Sequence, residues 1–183
     1  MERNLMVAGF GGQGVMTLGK FLAEATCTYT DKNVTFFPSY GAEQRGGTAN
    51  CYVVISDDEV GAPLGDAMED LIVMNDPSLG KFLYKLVSGG TLYINSSIVT
   101  SPVERSDVKI VKAPVTELAL ELGNAKVLNI IMLGVYIGYT QVIPPELVWQ
   151  TIEHKLSRKP KLLPLNQQAF QIGLKLGQLQ RDD

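Results

Sequence analysis

The chain has 183 residues, 45% of them hydrophobic, and a formal net charge of −3. That suits a single globular domain over residues 1–183 with a core of its own. The balanced charge, without a Lys/Arg block, argues against nucleic acid as a partner. The longest apolar run, Val127 to Tyr139, is broken by Asn129, Gly134 and Gly138 and is too short to span a bilayer.

The start, Met1-Glu2-Arg3-Asn4, leads directly into apolar sequence without a charged-then-apolar leader. A cytoplasmic location is therefore expected, and the Asn95-Ser96-Ser97 sequon is read as chance. Cys27 and Cys51 lack metal-ligand spacing and are expected as free thiols. With His154 the single histidine, this chain alone cannot build a zinc or iron–sulfur site. Any redox metal must come from a partner.

In chain order, the first apolar stretch is Leu5-Met6-Val7-Ala8, a strand. It runs into Gly-Phe-Gly-Gly-Gln-Gly at 9–14, then into a helix over about 14–30 with Val15, Leu18, Leu22 and Ala25 on one face. A glycine-rich strand-to-helix turn lets backbone N–H groups approach an anion at the helix N-terminus. The same glycines also serve a bland purpose, a tight turn with close helix–strand packing. Gly9, Gly11 and Gly14 satisfy G-x-G-x-x-G, but the acidic residue that would hold a dinucleotide ribose is missing from the end of the next strand, Val34 to Phe37. Asp31 has roughly the right spacing and lies at the wrong end of that strand. The strand–helix–strand unit implies parallel neighbours and a right-handed crossover.

A polar, glycine-rich loop occupies 38–47, followed by a β-branched strand over 48–56 that is open to an antiparallel setting. Residues 57–66 read as a turn region, Leu71 to Asn75 as a buried strand, and 77–86 as a helix opened by proline. Ser88-Gly89-Gly90 reads as a turn into strand 91–95, and 108–111 as another strand. Helices are expected over 114–122, 129–140 (apolar nearly all round), 145–156 and about 164–179. The fold class is α/β: a Rossmann-like, mostly parallel sheet flanked by helices, with a helical C-terminal third.

Ligands of open α/β sheets sit outside the carboxyl ends of the strands. Four polar segments follow such ends: 9–14, 38–47, 75–78 and 95–97. Gln13 heads the first helix, where it either caps free N–H groups or contacts a ligand. Arg45, followed by Gly46 and Gly47, can present its guanidinium to a carboxylate or phosphate, or be held by Glu43 in a structural ion pair. Tyr40 either meets a partner or closes the sheet edge. Asn129, an amide within an apolar helix, is expected to tie helix to loop. His154, beside Lys155, reads as a solvated residue near a helix C-terminus. No nucleophile–base pair and no paired carboxylates are visible, so no catalytic and no metal-binding residue is assigned.

The motif at 9–15, together with Pro-Ser-Tyr-Gly-Ala-Glu-Gln-Arg-Gly-Gly-Thr-Ala-Asn-Cys at 38–51, resembles the gamma subunit of 2-oxoacid:ferredoxin (acceptor) oxidoreductases. The resemblance extends through Met74-Asn75-Asp76-Pro77-Ser78, Asn95-Ser96-Ser97 and Asn129 to Gly134. One departure is Ala42, where relatives usually carry proline. The resemblance implies a non-autonomous subunit of an enzyme that decarboxylates a 2-oxoacid oxidatively to acyl-CoA. The Thr-Ala-Asn-Cys continuation looks more like the 2-oxoglutarate or branched-chain enzymes than the pyruvate ones. Thiamine diphosphate, its magnesium and the iron–sulfur clusters are implied in alpha, beta and ferredoxin-like delta subunits, with CoA as co-substrate and ferredoxin or a similar acceptor. The candidate site residues are Gly11, Gly12, Gln13, Gly14, Tyr40, Glu43, Arg45, Gly46 and Gly47, which form one site if the loops at 9–14 and 38–47 converge. Two other readings stand beside it: a free-standing nucleotide-binding reductase, and an assembly module without ligand contact. An isolated subunit is expected to self-associate through its uncovered face.

Overall fold

The computed structural model describes residues 2–39, 47–60 and 67–182. Six strands form one sheet: β1 (Glu2–Phe10), β2 (Asn33–Ser39), β3 (Thr48–Ser56), β4 (Met68–Val73), β5 (Leu86–Asn95) and β6 (Lys109–Ala113). Their spatial order is β2-β3-β1-β4-β5-β6. The ladders β1–β4, β4–β5 and β5–β6 are parallel, whereas β3 runs antiparallel to both β1 and β2.

The expectation of parallel neighbours in the first strand–helix–strand unit is therefore corrected. β1 and β2 point the same way, but β3 lies between them. A strand that follows its predecessor through a short loop folds back as a hairpin, because a parallel crossover needs a dozen or more residues. β2 thus becomes an edge strand, which is where Pro38 is tolerated.

Among the described residues six α-helices complete the layers: α1 (Val15–Tyr29), α2 (Asp76–Phe82), α3 (Val115–Glu121), α4 (Leu128–Thr140), α5 (Pro145–Leu156) and α6 (Leu163–Asp182). One face of the sheet, with Leu5, Val7, Val53, Ile72 and Tyr93, packs against α1, α3, α4, α5 and α6. The other, with Met6, Ala8, Leu71, Val73 and Leu92, is covered by Leu79 and Phe82 of α2. Alternation along each strand divides the two cores, as a period of two requires.

Among the boundaries that differ from expectation, β1 spans Glu2–Phe10 and β4 spans Met68–Val73 instead of 5–8 and 71–75, and two more lie at the entry to β5. α2 stops at Phe82, where a single 3-10 turn, Leu83–Lys85, delivers the chain into β5. Ser88, Gly89 and Gly90 lie inside β5 instead of preceding it; the pairing with β4 shifts register there, and Gly89 takes φ +79°. A glycine absorbs this irregularity because a Cβ would oppose a left-handed backbone.

Among the described residues the larger core contains one buried charge. Asp70 is fully buried and accepts from Arg3 Nε, from Arg3 Nη2 at 3.0 Å, from Tyr136 Oη at 3.1 Å and from Tyr93 Oη at 3.3 Å. Burial first, and the Asp70 charge second, push both tyrosine hydroxyls well above their ordinary pKa, so they stay protonated donors. Tyr93 also meets Tyr136 and Tyr139 edge-on, at 5.3 and 5.7 Å between ring centroids.

α4 is buried along Leu128 to Gly138 and is clasped by α6 through glycines on both helices. A Cβ on Gly134, Gly138, Gly173 or Gly177 would come within 2.4, 2.2, 1.9 or 2.1 Å of a backbone oxygen of the facing helix. Alanine would add about 1 kcal/mol of helix propensity, but overpacking costs about 1–3 kcal/mol and more when only backbone can give way. Gly173→Ala is accordingly expected to lower stability by about 2–3 kcal/mol in a urea titration. Gly80, on α2, has open space around its missing Cβ, so Gly80→Ala should raise stability by about 0.5–1 kcal/mol in the same assay.

Candidate functional site

The chain leaves β1 for α1 on one face of the sheet and leaves β4 for α2 on the other. The carboxyl ends of these two adjacent parallel strands therefore open a crevice at a topological switch point. Gly9–Gly14 forms one lip and Asn75–Ser78 the other. Gly12 and Gly14 take φ +93° and +70°, conformations that favour glycine, and a Cβ on Gly14 would also strike the Asn129 amide at 2.4 Å.

Gln13 stitches the lips together. Its Oε1 accepts from Phe10 N at 2.7 Å and Asn75 Nδ2 at 3.2 Å, and its Nε2 donates to Met74 O at 3.0 Å. Asn95 Nδ2, at the end of β5, donates to the same Met74 oxygen at 3.3 Å and to Thr116 Oγ1 at 2.9 Å. Asn75 caps α2 by accepting from Ser78 N, and Ser97 Oγ accepts from Glu117 N in the first turn of α3. Three of the four polar segments are thus linked into one surface. Asn129 fulfils its expected role: its Nδ2 donates to Gly14 O at 3.3 Å, fixing α4 to the loop.

The first turn of α1 is left open. Among the described residues no side chain caps it, and it carries no acidic residue. Its leading N–H groups lack intrahelical partners and lie at the positive end of a 15-residue helix. Gly11 and Gly12 are exposed at the lip, with nothing within 4 Å of a Cβ on either. Among the described residues, the buried Asn50 Oδ1, Ser78 Oγ and Asn95 Oδ1 have no hydrogen-bond partner. Asn50 is paired in register with Ala8 and Ser39, and Asn95 is the last residue of β5, so both lie toward the same sheet end.

Of the residues assigned from sequence, Gly11, Gly12, Gln13 and Gly14 lie together here. Gly47 is half-buried and leads into β3, where Thr48 pairs with Phe10. Tyr40, Glu43, Arg45 and Gly46 lie outside the described residues. The sequence reading did not single out Asn50, Asn75, Asn95 or Thr116 individually. The available signal was an asparagine directly after an apolar strand, at both Met74-Asn75 and Ile94-Asn95. His154 is exposed near the end of α5. Cys51 is buried with its thiol pushed up to about 12 by desolvation, an unreactive setting. Among the described residues no three His, Cys, Asp or Glu side chains converge to hold a metal, and no helix is long and apolar enough to cross a membrane.

The family model for pyruvate ferredoxin/flavodoxin oxidoreductase matches residues 4–176. The chain belongs to this family. Ketoisovalerate oxidoreductase subunit VorA of Methanothermobacter thermautotrophicus is 35% identical over 94% of this chain, which spans 36% of that protein. 2-Oxoglutarate synthase subunit KorC of Methanothermobacter marburgensis is 32% identical, over 96% of this chain and 97% of its own length. The crystal structure of a keto/oxoacid ferredoxin oxidoreductase gamma subunit from Geobacter sulfurreducens superposes with a TM-score of 0.86 at 28% identity, covering 98% of both chains. The same domain thus matches a chain of its own length and about a third of a longer one. These relatives are oxidoreductase subunits, which favours that reading over a free-standing nucleotide-binding reductase.

Two outcomes follow from the local chemistry. Gln13→Ala is expected to lower stability by about 1–2 kcal/mol in a urea titration, because one amide serves three partners, and to speed amide exchange at Phe10. Asp76 anchors residues 100–101: its carboxylate accepts from Ser101 N at 2.9 Å and Thr100 N at 3.1 Å, which holds its pKa below the ordinary value. That anchoring is complete above the unfolded carboxylate pKa of about 3.9 and is lost as pH falls through the lower folded value. Exchange at the Thr100 and Ser101 amides should therefore lose protection only in strong acid.

Proposed function

We propose that this chain is the gamma subunit of a multisubunit 2-oxoacid:ferredoxin or similar-acceptor oxidoreductase, and that its β1–β4 crevice forms one wall of the region where CoA and the thiamine-bound intermediate meet. The observation that carries this reading is the acid-free N-terminus of α1 beside buried acceptors that have no partner among the described residues at the same sheet end. An unmade hydrogen bond in a buried group costs about 1–3 kcal/mol. Such groups are retained at little net cost where a partner or ligand completes them. The N–H groups of α1 suit a phosphate or carboxylate, and a guanidinium such as that of Arg45, in the sequence between β2 and β3, has the fork geometry for the same kind of anion.

The near full-length match to KorC favours 2-oxoglutarate as substrate, giving succinyl-CoA and CO2. This chain provides surface, not chemistry. Thiamine diphosphate with magnesium, and the iron–sulfur clusters that carry electrons to the acceptor, belong to companion alpha, beta and delta subunits in the cytoplasm. The purified chain is therefore expected to show no 2-oxoacid- and CoA-dependent reduction of an acceptor dye, with activity appearing only when companion subunits are added. Turnover by the chain alone would refute this division.

The crevice is tested at Gly11, where the missing Cβ has open space and the backbone needs no positive φ. In the assembled complex Gly11→Ala should behave as the parent. Gly11→Glu places a carboxylate at the anion position and should raise KM for CoA by about tenfold or more, as expected for loss of one charge-assisted contact, with assembly intact. An unchanged KM in Gly11→Glu would remove the crevice from the CoA region.

A further inference from the structure

A cavity of about 460 Å3 lies at the amino ends of β1, β4, β5 and β6, away from the crevice. Its rim crosses four strands in order: Glu2 and Arg3, then Glu69, then Gly89 to Thr91, then Lys109. Neighbouring strands stand about 4.8 Å apart, so the rim is about 14 Å long. Tyr139 and Thr140 at the end of α4 also line it.

The charged groups around this cavity are only partly spent. Arg3 gives Nε and Nη2 to Asp70, which is buried and locks the guanidinium in place; Nη1 has no partner among the described residues. Lys109 makes no ion pair among the described residues and faces the other end of the rim. Glu69 uses Oε2 to accept from Asn4 N at 2.7 Å, and Glu2 uses Oε1 to accept from Asn4 Nδ2 at 3.2 Å. Among the described residues each carboxylate keeps an oxygen in reserve. α4 has no basic residue in its last turn, so the negative end of its dipole is uncompensated at this cavity.

These groups select by charge. A phosphate dianion would face two carboxylates and a helix C-terminus while Arg3 is already neutralised by Asp70. A bare cation would face Lys109. A ligand carrying both signs meets a complement for each. We propose that this cavity binds a free α-amino acid as its zwitterion, its carboxylate on Arg3 Nη1 and Lys109 Nζ and its ammonium on Glu69, Glu2 and the end of α4. The volume leaves room for a side chain. The hydroxyls of Thr91 and Thr140 add donors and acceptors within the same lining.

Calorimetric titration of the full chain at neutral pH tests this, with the common L-amino acids as probes. For any amino acid that binds, the matched 2-oxoacid lacks the ammonium and the matched amine lacks the carboxylate. At least one amino acid should bind in the millimolar range or tighter and raise the Tm, while its 2-oxoacid and amine counterparts do neither. Lys109→Gln and Glu69→Gln should each weaken that binding about tenfold. Gln at 69 still accepts from Asn4 N, and Lys109 is exposed, so both variants should keep the parent Tm without ligand. No binding by any amino acid, equal binding by either counterpart, or undiminished binding in both variants would overturn the proposal.

Discussion

The contact between α4 and α6 sets the rest of the molecule. Four glycines let two backbones approach so closely that carbonyl oxygens stand where side chains would begin. A helix as apolar as α4 must be enclosed on every side, and a single sheet face encloses only one. α6 supplies the missing side, and the absence of side chains at the contact fixes the depth at which α4 lies. That depth determines what each end of α4 reaches. At one end Asn129 holds Gly14 and with it the entrance to α1. Along its length Tyr136 reaches the buried Asp70, and at the other end Tyr139 and Thr140 border the amino-end cavity.

Most of the architecture was legible because apolar spacing writes it directly. Strand β3 and helix α5 have the limits expected from sequence, and α4 is buried all round as its composition demands. The neighbour relation of β1 and β2 was not legible. Insertion of β3 between them depends on long-range pairing, which local periodicity does not encode. Ser88-Gly89-Gly90 misled for a related reason. Glycine marks a bulge as readily as a turn, and only the β4 partner decides which.

The site was legible in part. Glycines with positive φ at 12 and 14 announce themselves, since few residues other than glycine adopt that backbone readily. Gln13 was identified as important, yet the three bonds it makes were not foreseeable, because each partner comes from the β1 or β4 end. The buried Asp70 was invisible from sequence. One aspartate ahead of an apolar stretch resembles a strand terminus until Arg3, Tyr93 and Tyr136 are folded around it. Removing a single partner of such a group costs more than the group contributes, because the remaining charge stays out of water.

Near its far end α6 performs a different task. The Gln180 side chain accepts from Lys112 N and donates to Lys112 O, both at 2.9 Å, so one amide imitates a peptide unit of a seventh strand. The outer margin of β6 is thereby closed to backbone pairing at that residue. At the opposite margin β2 has no strand beyond it among the described residues. The sheet therefore has polarity across its width as well as along its strands: one selvedge is hemmed at Lys112 by its own chain, and the other has no such hem among the described residues.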